Sequence, residues 1–139
     1  MSIQQTLTTS FKQDQLLGAQ NLQTDTLKLA LYTSGASLGP STTAYTTAEE
    51  VTGSGYTAGG QILTGVTIST ATDGVVYVNF ANAVWSPAAF TARGGLIYNS
   101  SKANKSIAVL NFGADKTCTT QFVVQFPANT STSAILRFA

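Results

Sequence analysis

From Leu27 onward, apolar residues recur at every second position in short runs, and this pattern limits the folds open to the chain more than any other feature. A period of two is that of an extended strand, whose side chains alternate between two faces. Leu27, Leu29 and Leu31 alternate with Lys28, Ala30 and Tyr32, which predicts a half-buried strand. Ile62, Thr64, Val66 and Ile68 share one face of a run from Gln61 to Thr70. Asp73-Gly74 then signals a tight turn, and Val76, Val78 and Phe80 return on one face, so residues 61–80 read as a hairpin. Ala83 to Ser86 is a shorter run stopped by Pro87, and Leu96 to Tyr98 starts after Gly94-Gly95. Ile107 to Phe112 leads into a predicted turn at Gly113 to Lys116, Thr120 to Phe126 ends at Pro127, and Ala134 to Phe138 closes the chain. Seven or eight short strands divided by turn signals predict a mainly β protein, an antiparallel β-sandwich or jelly-roll-like domain.

Residues 1–26 follow a different rule. Ile3, Leu7 and Phe11 recur four apart, Leu16-Leu17 follow, and Gln and Leu dominate residues 11–22. This predicts a short N-terminal helix ending near Asn21, with Ser10 and Gln13 at capping-box spacing and Gly18 as a weak point. The expected organisation is an N-terminal helical segment or arm over 1–26 and a single β-domain over 27–139. At 139 residues there is one core's worth of chain. Residues 33–60 form a long irregular stretch holding Tyr45 and Tyr56, with one helical turn offered by Thr46-Thr47 and Glu49-Glu50. A loop that long in a compact domain is expected to carry function.

The residues available restrict the chemistry. There is no histidine, which removes Ser-His-Asp triads, Cys-His dyads and His-ligated metals together. Cys118 is alone, so it forms no internal disulfide and lacks an imidazole to activate it; it reads as a small apolar filler. The glycine-rich stretch Gly53 to Gly60 leads into a strand and lacks the Lys-Ser/Thr pair of a phosphate loop. Glu49 and Glu50 are adjacent and point apart, while Asp14, Asp25, Asp73 and Asp115 are scattered. No catalytic residue, metal ligand or cofactor follows, and the expectation is a protein that is not an enzyme.

Charge is scarce. Asp, Glu, Lys and Arg make up 9% of the chain, where a soluble domain usually carries about 25%. The basic residues form no stripe, which argues against a nucleic-acid partner. No apolar run reaches membrane-spanning length, and Met1 to Leu7 does not resemble a signal peptide, so synthesis in a cytoplasm without membrane attachment is expected. Neutral surfaces associate, and depletion of charge marks the centres of interfaces. Much of this surface is therefore expected to be covered by further copies of the chain or by a partner. Trp85 with Tyr32, Tyr45, Tyr56, Tyr77 and Tyr98 offers a sugar-stacking platform, against the alternative that these rings are core or interface anchors. Arg93 is a rare cation, either a bridge to backbone or an inter-subunit contact.

Several stretches carry a resemblance that covers essentially the whole chain. They are Phe11-Lys12-Gln13-Asp14-Gln15-Leu16-Leu17-Gly18, Thr24 to Tyr32, Gly53 to Gly60, Ala92 to Asn99, Asn111-Phe112-Gly113-Ala114-Asp115-Lys116 and Phe126-Pro127. In this order they resemble a family of small tailed-bacteriophage virion structural proteins, described as capsid decoration (cement) or tail-associated. The resemblance implies a non-enzymatic structural component of a phage particle, made in the cytoplasm of a host bacterium; taken with the charge-poor, hydroxyl-rich β-domain, the leading expectation is a decoration protein on the outer capsid surface of the virion. Its partners would be the major capsid (coat) protein and itself, in a homo-oligomer with a trimer favoured. The alternative is a tail-associated or surface β-module that binds glycan. Phe11, Leu16, Leu17, Tyr45, Tyr56 and Arg93 are the residues expected to make partner contacts.

Overall fold

The computed structural model describes residues 2–71, 74–126 and 136–138. The chain is mainly β with one short helix, a β-sandwich-like arrangement of antiparallel sheets. The elements run β1 (Thr6–Leu7), α1 (Thr9–Leu17), β2 (Leu27–Tyr32), β3 (Gln61–Ile62), β4 (Thr67–Thr70), β5 (Val76–Asn79), β6 (Ala83–Trp85), β7 (Thr91–Asn99), β8 (Lys105–Thr117), β9 (Phe122–Val124) and β10 (Leu136–Phe138). A five-stranded sheet has the order β1-β8-β7-β2-β3; a three-stranded sheet has β10-β5-β4; β6 pairs with β9. Ten strands lie among the described residues, more than the predicted seven or eight, because β1 and β3 are two-residue pairings too brief for periodicity to show. Asp73, Pro127, Ala134 and Ile135 fall outside the described residues.

The centre of the five-stranded sheet is buried on both faces. On one, Leu27, Leu29 and Leu31 pack with Phe11, Val78, Trp85, Phe122 and Leu136 from the helix and the smaller sheets. On the other, Ala30, Tyr32, Leu96, Tyr98 and Val109 meet Ile3, Ala36, Leu38 and Tyr45. β2 is thus a central strand covered on both sides, where alternation predicted one wet face. Antiparallel sheets commonly leave a face to water. Here the irregular stretch 33–60 takes that place, and its apolar residues form the second cover.

The N-terminal residues are packed into the fold instead of extending from it. β1 pairs with β8 (Thr6↔Val109, Leu7↔Ala108), and Ile3 bridges Leu38. The helix is shorter and earlier than predicted. Thr8, not Ser10, is its N-cap, its hydroxyl accepting from the Phe11 amide at 3.3 Å. Gly18 ends it in the left-handed conformation (φ 69°). The residue that looked like a weak point inside the helix is its stop.

Two predicted breaks are absent. β7 runs straight through Gly94-Gly95. A Cβ at Gly94 would stand 2.5 Å from the Leu110 carbonyl oxygen, and one at Gly95 2.9 Å from the Leu29 side chain. These glycines admit close neighbours and do not turn the chain. β8 likewise continues past Gly113 to Thr117. The pairing slips between Ala92↔Lys116 and Gly94↔Asn111, so residues 112–115 bulge opposite Arg93. The predicted 61–80 hairpin holds only for its inner part: β4 pairs with β5, whereas Gln61 and Ile62 pair with β2. Thr46 to Glu50 is a turn, not a helical turn, with the Ala48 amide on the Thr46 hydroxyl at 3.2 Å. β9 is shorter than the predicted Thr120–Phe126 run.

Candidate functional site

The long stretch 33–60 is fastened by one carboxylate. Glu50 is buried, and its oxygens accept from the Tyr45 hydroxyl at 2.6 Å, the Tyr56 hydroxyl at 2.5 Å and the Gly59 amide at 2.8 Å. Tyr45 belongs to the second apolar cluster and stacks on Tyr98 at 4.7 Å, while Tyr56 packs in the main core beside Trp85 and Phe90. Glu50 therefore ties together side chains from the two faces of the central sheet. The Tyr98 hydroxyl donates to the Gly59 carbonyl at 2.6 Å, and the Tyr56 oxygen also accepts from the Leu31 amide at 3.0 Å. Burial, followed by the bonded Glu50 carboxylate, raises the phenols of Tyr45 and Tyr56 far above their ordinary range. Burial and the same negative charge push Tyr98 up to about 12. These hydroxyls remain neutral donors at any physiological pH.

A second polar cluster binds the N-terminal segment to the β7–β8 hairpin. Thr8 and Ser10 hydroxyls both meet the Ser106 hydroxyl, at 2.9 and 3.1 Å, and Ser106 donates to the Thr42 carbonyl at 2.7 Å. Gln20 donates to Asp14 at 2.9 Å and accepts from buried Asn99 at 3.1 Å, and Asn99 also donates to Asp25 at 2.8 Å. Asp14 pairs with Lys105 at 3.5 Å and Asp25 with Lys102 at 2.8 Å. Desolvation works against the Asp25 charge, but Lys102, the Asn21 amide and Asn99 outweigh it and hold the carboxyl at about 2.

These pairs use up charge that a soluble protein would spread over its surface. Arg93 joins Asp115 at 3.5 Å, Glu50 is buried without an ion pair, and of the other charged residues whose side chains are described only Lys12, Lys28, Glu49 and Lys116 lack one. The residues expected to make partner contacts do not converge on one site. Phe11 is 0% exposed and anchors the main core, which corrects its assignment as a contact: the apolar face that needed a partner found the chain's own sheet. Tyr45 and Tyr56 are half-buried and engaged with Glu50, and Arg93 is held by Asp115. Leu16 and Leu17 are different, at 90% and 71% exposed. They stand between Gln15 and Gly18, which line a groove of about 540 Å³ with Gln20, Leu22, Ile68 and Val76. A second, smaller hollow of about 320 Å³ lies between Phe112, Lys116, Phe122 and Val123. Trp85 is 1% exposed, so it offers no face for a sugar to stack on.

Among the described residues no three His, Cys, Asp or Glu side chains converge as a metal site would require, and no helix is long and apolar enough to cross a membrane. Cys118 is buried, its sulfur accepting from the Phe90 amide at 3.4 Å. Sequence reasoning noticed Glu50 only as half of a carboxylate pair. Its signal is a carboxylate with a tyrosine five residues before it and another six after, in a chain that spends charge sparingly. No known protein family, curated protein or solved structure matches this chain.

Proposed function

We propose that this chain is a non-enzymatic structural protein of a tailed-phage particle, a capsid decoration protein that binds the outer coat lattice and stabilises the shell. The observation that carries the reading is a charge-poor surface on a rigidly fastened β fold, with Leu16 and Leu17 projecting from it. Covering an exposed leucine side chain gains about 1.5–3 kcal/mol. A pair of them on one site gives a modest contact, which becomes strong when repeated over a lattice. Binding the assembled shell and not dissociated coat protein then stabilises the shell by mass action. The chain acts as a closed homo-oligomer, a trimer by preference, so that each particle engages several contacts at once. Of the expected contact residues, Leu16 and Leu17 are central, while buried Phe11 serves the core.

Copy number in purified virions and co-sedimentation with shells lacking the protein test this together. Hundreds of copies per virion, and attachment weakened at least tenfold by Leu16→Asp with Leu17→Asp, are the expected results. Absence from finished particles, or a soluble monomer with no affinity for shells, overturns the reading.

A further inference from the structure

The hollow beside β9 combines two features, an aromatic lining and a cation without an ion pair among the described residues. Its floor is aromatic: Phe112 and Phe122 lie with ring centroids 6.0 Å apart. Its rim holds Lys116, an exposed cation with no ion pair among the described residues, since the neighbouring Asp115 is taken by Arg93. Val123 and its cross-strand partner Val84 extend the apolar surface outward, 44% and 41% exposed. The bulge in β8 places Phe112 where it is only half-buried.

We infer that this hollow seats one large apolar side chain of a partner polypeptide, with an adjacent Glu or Asp of that partner paired to Lys116. The charge fixes the choice of occupant. An apolar floor alone accepts any hydrophobe, but a free cation over it favours a carboxylate in the same short segment and repels a basic one. No acid on this chain competes for Lys116 among the described residues. The hollow is open enough for a chain to cross it, unlike a small-molecule site, which encloses most of its ligand. A single contact of this size is weak and gains its strength by repetition. The inference deepens the lattice-binding reading by naming the chemistry of the coat segment that would be met, yet it is tested on the isolated protein.

The probe is the blocked peptide acetyl-Gly-Phe-Glu-Gly-amide, titrated into the full-length protein and followed by amide chemical shifts. The same peptide with Gln for Glu, and 3-phenylpropionate, serve as comparisons. Saturable shifts at Phe112, Lys116 and Val123 are expected, with affinity about fivefold lower for the Gln peptide, the scale of an exposed ion pair. Lys116→Gln should leave the spectrum folded and remove the preference between the two peptides. Val123→Asp should abolish binding of both. Equal affinity for Glu and Gln peptides in the natural protein, shifts that cluster elsewhere, or no binding overturns the inference; tighter binding of 3-phenylpropionate than of the Glu peptide overturns the polypeptide as occupant. Peptide binding lost while shell attachment persists refutes this site alone. Glu-dependent peptide binding with no attachment to shells refutes the lattice reading and leaves the site.

Discussion

Replacing Glu50 with alanine removes the acceptor of three donors at once, and the structure allows the cost to be worked out. The Gly59 amide is fixed in place and buried, so it loses its partner outright, at about 1–3 kcal/mol. The Tyr45 and Tyr56 hydroxyls are part-buried, so water can replace part of the charge-assisted bond that each loses. Against this, the carboxylate's own desolvation cost disappears. The balance is about 3 kcal/mol, a large fraction of the 5–15 kcal/mol expected for a domain. Glu50→Gln keeps one carbonyl oxygen, which can serve Gly59 and Tyr56, and leaves its amide facing a Tyr45 oxygen able to accept. Its cost should be about 1–2 kcal/mol. Urea unfolding measures both values. Hydrogen exchange locates the damage: the Thr33 amide on the Glu49 carbonyl and the Val51 amide on the Leu31 carbonyl should lose protection first. A Glu50→Ala protein within 1 kcal/mol of the parent, with those amides still protected, would refute the idea that this carboxylate fastens the two covers of the sheet.

Phe11→Ala should cost about 3–5 kcal/mol, and deletion of residues 2–20 should lower stability at least as much, because the deleted segment supplies both Phe11 and β1; urea denaturation followed by circular dichroism checks this. Gly60→Ala should cost about 2 kcal/mol or more in the same assay, since its φ is 78° and a Cβ would lie 1.8 Å from the Leu29 carbonyl oxygen. Asp25 has a folded value depressed below its ordinary 3.8 to about 2, so its contribution is fully present above that ordinary value and is lost as pH falls toward 2. After allowance for screening at the exposed Lys102, that contribution is about 1 kcal/mol, and Asp25→Asn should flatten stability against pH in this window. In a Lys116→Gln protein, shell attachment through Leu16 and Leu17 should change little between about 0.05 and 1 M NaCl, because apolar burial is not screened; a loss of tenfold or more across that range would show that charge elsewhere carries the contact.

The sequence exposes the fold where one rule acts alone. β5 and β6 have clean boundaries because their alternation meets a turn or a proline. It misleads where two rules share a residue. Gly94 and Gly95 look like punctuation because glycine usually bends a chain, yet here the missing Cβ atoms make room for Leu110 and Leu29 from distant positions. Gly113 looks like a turn and is a bulge, because the outcome depends on where β7 can resume pairing. The candidate site is less legible still. Glu50 meets Tyr45 and Tyr56 only after residues 33–60 have folded over both faces of a sheet, and nothing local fixes that path. Leu16 and Leu17 are visible as apolar residues, but their exposure follows from their place on α1, five and six residues after Phe11 and so turned away from the face that Phe11 and Asp14 bury.

Placing the N-terminal helix inside the fold changes how contact through Leu16 and Leu17 would work. A flexible arm orders itself on binding and spends much of its interaction energy doing so. Here Phe11 holds one face of the helix in the core, Thr8 and Ser10 lock its start to Ser106, and Asp14 pairs with Lys105. The two leucines are held out from a fixed base, so covering them costs little further ordering and more of the burial energy remains for binding. The polar network that consumes the surface charge is thus the same network that holds the apolar contact in place. A charge-poor exterior and a fixed contact are linked consequences: six of the few charged side chains are paired within the chain, and one of those pairs, Asp14 with Lys105, holds the helix that carries the leucines.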